Sequence, residues 1–103
     1  MHHFKYRENI LYCEDVPVPE IAAKIGTPFY LYSHATLKRH FQAFRTAFAG
    51  VDNLICYSAK ANTNLAVLKL FADLGCGLDI VSGGELYRGL NAGFPANRIV
   101  YSG

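Results

Sequence analysis

Lys60 is the residue whose type and setting most suggest chemistry. It follows the short apolar run 53–58, N-L-I-C-Y-S, and a lysine just beyond such a strand points into the mouth of a sheet. Removal from water there disfavours the ammonium form and frees the nucleophilic amine that Schiff-base chemistry needs. The competing reading is a solvated loop lysine, and position alone favours it. Asp79 ends a second apolar run, where a lone carboxylate is costly without a partner, so a donor or cation is expected beside it. Lys60 is the nearest candidate. Ser82-Gly83-Gly84-Glu85 has the S-x-x-E pattern of a capping box, in which Ser82 accepts from the Glu85 amide and the Glu85 carboxylate reaches back to Ser82. The two glycines could instead admit an anion or a ring, but the cap explains both polar residues and is the better-supported reading.

These residues need elements to position them. Residues 9–13 suggest a short strand. Pro19 can open a helix that Gly26 closes. Residues 27–32, T-P-F-Y-L-Y, read as extended. Ser33 is a plausible N-cap for a helix placing Leu37, Phe41, Phe44 and Phe48 on one core-facing side, with Gly50 at its end. The run 53–58 then reads as a buried parallel strand, 64–74 as a helix with Val67, Leu68, Phe71 and Leu74 inward, and 77–81 as a second strand. Residues 82–92 form a helix closed by Gly93, and 98–101 form a third strand. Lys60, Asp79 and Ser102 are 19 and 23 residues apart, about one βα unit each. Strands alternating with helices imply a parallel sheet, whose active sites form at the C-terminal strand ends. Ser58-Ala59-Lys60, Asp79 with Ser82–Glu85, and Ser102 all fall at those ends.

Composition narrows the rest. Of 103 residues, 51% are hydrophobic and 17% charged, which is core-forming rather than disordered. A net charge of +2 gives no argument for nucleic acid. No acidic residue lies between Glu20 and Asp52, while Lys24, Lys38, Arg39 and Arg45 do, which reads as a solvated basic helix face. Cys13, Cys56 and Cys76 show no CxxC spacing, so buried free thiols in a reducing compartment are expected rather than disulfides or a zinc site. His2 and His3 are expected on a mobile terminus rather than at a metal. No basic-then-apolar leader and no membrane-length apolar run is seen, so a cytoplasmic protein is expected.

Against this background, Tyr57-Ser58-Ala59-Lys60-Ala61-Asn62 resembles the lysine motif Y-A-x-K-A-N of the fold-type III pyridoxal-phosphate decarboxylases. Asp79-Ile80-Val81-Ser82-Gly83-Gly84-Glu85-Leu86 resembles their D-x-x-S-x-x-E-L signature. Ala92-Gly93-Phe94-Pro95 with Arg98-Ile99-Val100 is similar to the following helix-to-strand junction. Gly26-Thr27-Pro28-Phe29-Tyr30-Leu31-Tyr32 resembles the G-T-P-x-Y-x-Y opening of the diaminopimelate decarboxylase branch. The resemblance runs from about residue 10 to 103. It implies an α/β fold, the first βα units of a pyridoxal-phosphate-binding (β/α)8 TIM barrel of the alanine racemase-like type, incomplete in this chain. Residues 1–26 would associate with the β domain of the full protein, and residues 27–103 would begin the barrel.

The resemblance also implies roles. Lys60 would bond covalently to pyridoxal phosphate, Asp79 and Glu85 would lie near that linkage, and Ser58 replaces a commoner alanine that packs on the cofactor. The implied reaction converts meso-diaminopimelate to L-lysine and CO2 in a homodimer with shared active sites, acting on a small amino acid and on neither nucleic acid nor membrane. The glycine-rich phosphate loop, ring-stacking histidine, acidic partner of the pyridine nitrogen and partner-subunit cysteine of the family would lie downstream, so the 103 residues read as an inactive fragment. Other readings stay open: an ornithine, arginine or carboxynorspermidine decarboxylase, an amino-acid racemase, a non-catalytic barrel regulator, or a self-standing βα module.

Overall fold

A computed structural model describes residues 2–103, which divide into two units, 2–40 and 41–103. The first unit opens with an antiparallel three-stranded meander of β1 (Phe4–Arg7), β2 (Ile10–Cys13) and β3 (Val16–Pro17). Its register pairs Phe4 with Cys13 and Arg7 with Ile10 across the first turn. Helix α1 (Val18–Ile25) follows with proline in its first turn, and the Gly26 amide closes it by donating to the Ala22 carbonyl at 2.9 Å. Residues 27–32 form no regular element, and the Thr27–Pro28 bond is cis.

Helix α2 (His34–Ala47) spans the division between the units. Ser33 caps it as expected, its hydroxyl accepting from the Thr36 amide at 3.1 Å. The Glu14 carboxylate takes the Ala35 amide at 2.8 Å, so two of the helix's four orphan N–H groups are satisfied by side chains. Near the N-terminus the Thr36 hydroxyl donates to the His2 carbonyl at 2.6 Å, and His3 Nδ1 lies 3.0 Å from Thr36 Oγ1.

In the second unit β4 (Cys56–Ser58), β5 (Gly77–Ile80) and β6 (Ile99–Tyr101) form a parallel sheet in that order. Helices α3 (Leu65–Asp73) and α4 (Gly83–Ala92) make the crossovers. The parallel sheet required by the strand–helix alternation is therefore present. Register sets Tyr57 level with Leu78 and Ile99, and Ser58 level with Asp79. One face packs against the helices: Leu68 and Leu78 are fully buried, Tyr57 stacks on Phe71 at 4.3 Å, and Phe41 meets Phe71 edge-on at 6.4 Å. The other face carries Cys56, Ser58, Gly77, Asp79 and Val100.

Two glycines allow close approach. A Cβ on Gly89 of α4 would sit 2.3 Å from Leu78 Cδ2, and one on Gly77 would sit 2.7 Å from Cys56 Sγ and 2.9 Å from the Arg98 carbonyl oxygen. Two expected core residues prove otherwise. Phe44 and Phe48 are 61% and 46% exposed and stack on each other with rings 6.4 Å apart. Helical spacing aligned them correctly, but within the second unit nothing covers that side of α2. All three cysteines are free, although Cys56 is only half-buried. No helix among the described residues is long and apolar enough to cross a membrane.

Candidate active site

The site is built where β4 ends. Residues Ala59–Ala61 form a single 3₁₀ turn that carries Lys60 outward while Ala59 beneath it is fully buried. Any side chain larger than alanine at position 59 would have to displace core. The turn is braced beyond itself: the Asn62 amide donates to the Ala59 carbonyl at 3.1 Å, and the Tyr57 hydroxyl donates to the Asn62 carbonyl at 3.3 Å. The Asn62 side chain accepts from the Asn64 amide and the Asn64 side chain from the Ala66 amide, each at 2.9 Å, so the loop ends directly in the cap of α3. Tyr57, Asn62 and Asn64 are thus the residues that fix the lysine-bearing turn. Sequence reasoning quoted the first two only as part of a motif. The signal for Asn64 was its type, since an asparagine just before an apolar helical run is a favoured N-cap.

Lys60 is exposed, and its amine makes no hydrogen bond or ion pair among the described residues. The sheltered cleft expected around it is not formed by three strands. The expected pairing of Asp79 with Lys60 is also absent. Asp79 instead takes its donors from serines on either side of β5: Ser58 Oγ at 3.4 Å to Oδ2, and Ser102 Oγ at a shorter distance to Oδ1. Ser102 was visible in the sequence only as the residue at a strand end. Hydroxyls satisfy the carboxylate without neutralising it.

Glu85 lies at the start of α4 as a cap, with one difference from the expected box. Ser82 Oγ accepts from the Glu85 amide at 3.1 Å, but the Glu85 carboxylate accepts from Val81 N at 2.7 Å rather than from Ser82. Ser82 itself has extended backbone, with φ −154°. The structure therefore brings Ser58, Asp79 and Ser102 into contact, sets Lys60 two residues beyond β4 at the same end of the sheet, and commits Glu85 to the helix start.

The thiols lie deeper. Burial pushes Cys76 up to about 11, and its Sγ donates to the Ile55 carbonyl at 3.3 Å. Cys56 is also raised, by burial first and then by the negative charge of Asp79, with Arg98 opposing. Both are protonated at neutral pH and are poor nucleophiles. No cluster of three or more metal-ligating side chains occurs among the described residues.

A parallel βα sheet whose polar residues gather at the C-terminal strand ends matches the arrangement in which βα barrels place their active sites. The family model for the pyridoxal-dependent decarboxylase, pyridoxal binding domain, matches residues 34–103, and the chain belongs to that family. Over its full length it is 50% identical to diaminopimelate decarboxylase of Haemophilus influenzae. It superposes on the crystal structure of diaminopimelate decarboxylase from M. jannaschii in complex with L-lysine with a TM-score of 0.90, at 35% identity over 95% of this chain and 24% of that one. A second structure of that enzyme gives a TM-score of 0.93 at 34% identity, over 98% and 25%. The chain spans about a quarter of the length of the curated relatives it matches. Its fold is thus the α/β N-terminal part of the pyridoxal-phosphate TIM barrel, as the motifs implied.

Proposed function

We propose that this chain is the N-terminal part of a pyridoxal-phosphate-dependent decarboxylase that converts meso-diaminopimelate to L-lysine. The observation that carries the reading is the braced turn presenting an amine with no competing partner. The fit to the cofactor rests on that donor chemistry: an aldehyde needs a free primary amine, and buried Ala59 holds this one in place. Bound pyridoxal phosphate supplies an electron sink for the bond to the departing carboxylate. The chain's own residues then have defined tasks. Lys60 would hold the cofactor covalently through its amine. Asp79 presents a fixed negative charge at the mouth, Ser58 helps to orient it, and Glu85 secures the helix start that borders the site.

The remaining barrel strands, contributed by the longer protein, would wall the mouth and exclude water from Lys60. Residues 1–26 are assigned to association with that protein's β domain, and residues 27–103 to the beginning of its barrel. We further assign a cytoplasmic homodimer with shared active sites. The lysine-bound relative supports a diamino acid as substrate.

Borohydride reduction of the full-length protein with pyridoxal phosphate, followed by peptide mapping, tests the reading: the label should fall on Lys60. Label on another lysine would overturn it. A panel of meso-diaminopimelate, ornithine, arginine and carboxynorspermidine decides the substrate. The isolated 103 residues are expected to give no lysine from diaminopimelate.

A further inference from the structure

We propose that Ser102 is a positioning residue that, with Ser58, clamps the Asp79 carboxylate across three strands so that its charge faces the mouth unneutralised. The inference deepens the proposed function and rests on its placing Asp79 in the cofactor site.

The geometry is specific. Asp79 stands on the central strand β5, level with Ser58 of β4. Ser102 lies just past β6, and its position is fixed by its own backbone, whose amide donates to the Ile80 carbonyl at 3.0 Å. Each serine serves a different carboxylate oxygen, Ser58 donating to Oδ2 and Ser102 to Oδ1. Two anchors on opposite sides of β5 fix the rotation of the carboxylate plane, which a single donor would leave free.

Ser58 adds an independent sign. It precedes the 3₁₀ turn, where a serine ordinarily caps with its hydroxyl. Here the hydroxyl makes no capping bond and turns to Asp79 instead. At 3.4 Å that contact lies beyond the usual span of O–H···O bonds, which leaves Ser102 as the principal donor. No cation pairs with Asp79 among the described residues. Its charge therefore remains available to orient a positively charged group at the mouth, which an Asp79–Lys60 ion pair would have consumed.

The test uses the full-length enzyme with the amino acid it decarboxylates. Ser102→Ala should lower kcat about ten-fold, as loss of a hydrogen bond to a charged group does, with KM changed less than about two-fold. The visible absorption of the bound cofactor should shift, while the melting temperature stays near wild type. Ser102→Thr, which keeps the hydroxyl, should recover most of the rate and the spectrum. Ser58→Ala should cost less, about two- to three-fold. Wild-type kcat and spectrum in Ser102→Ala would refute the clamp, as would a loss that follows the melting temperature and is not rescued by threonine. A wild-type enzyme that neither takes up pyridoxal phosphate nor is trapped at Lys60 would instead remove the site reading itself, and the clamp's purpose with it.

Discussion

The two ends of the parallel sheet treat polar groups in opposite ways. At the C-terminal end, Asp79 is satisfied by neutral hydroxyls and Lys60 is left without a partner. At the N-terminal end, the cations are spent on structure. Arg45 donates to the Leu74 carbonyl at 3.3 Å, and Arg98 donates to the Gly75 carbonyl, so two guanidiniums gather at the C-terminus of α3, where helix carbonyls carry partial negative charge. The glycine that admits close strand packing, Gly77, and the buried thiol of Cys76 lie at this same end. One end spends its charge on holding strands and helix together, and the other keeps its charge available. Substitutions at the two ends should therefore separate activity from stability.

The largest effect is expected at the mouth. In the full-length enzyme, Lys60→Ala should reduce decarboxylation by at least about a thousand-fold and abolish borohydride incorporation. Because Lys60 makes no hydrogen bond or ion pair within these residues, the stability of the cofactor-free enzyme should change by no more than about 0.5 kcal/mol. A melting temperature that collapsed together with activity would break the division between the ends.

Beneath the mouth the reverse is expected. Leu78 is fully buried against α4, so Leu78→Ala should cost about 2–5 kcal/mol in denaturant unfolding. The folded fraction should keep its cofactor.

The base also gives a pH signature. Cys76 is held up to about 11 in the folded protein, against 9.0 when unperturbed. The unfolded thiol therefore ionises first as pH rises. Below pH 9 both states keep the proton and the group has no effect. From about pH 9 to 11 the unfolded state gains, and stability should fall by on the order of 2 kcal/mol. Cys76→Ala should flatten that slope in urea midpoints taken across the window. The slope is the measure, because the substitution also removes the bond to Ile55 and so shifts stability at every pH. An unchanged slope would place the alkaline loss elsewhere.

Legibility in the sequence followed the same division. The mouth was readable because its residues fall at strand ends, and the order of elements in the second unit followed from apolar runs separated by capped helices. What escaped was pairing between side chains. Nothing in the spacing shows that Asp79 is served by Ser58 and Ser102 rather than by Lys60, since that depends on register and on which face each strand presents. In the first unit α1 and the Ser33 cap were legible, but of the three strands only β2 was. β1 is mostly exposed and polar, and its turn to β2 holds Glu8 and Asn9 at φ 49° and 65° without the glycine that usually marks such turns. Phe44 and Phe48 show the limit of periodicity, which finds a helix face but not what covers it.

The smallest effect tests the one mouth residue that behaves like a base residue. Glu85 sits beside the active-site signature yet is engaged with the Val81 amide, while Ser82 takes the Glu85 amide. If Glu85 acts only through the helix start, Ser82→Ala and Glu85→Ala should each destabilise by about 1 kcal/mol and change kcat by similar small factors. Glu85→Gln keeps an acceptor for Val81 and should be closer to wild type in both. A Glu85→Gln enzyme with normal melting but a several-fold loss of kcat would move Glu85 to the catalytic side of the comparison, since only its charge would have been removed.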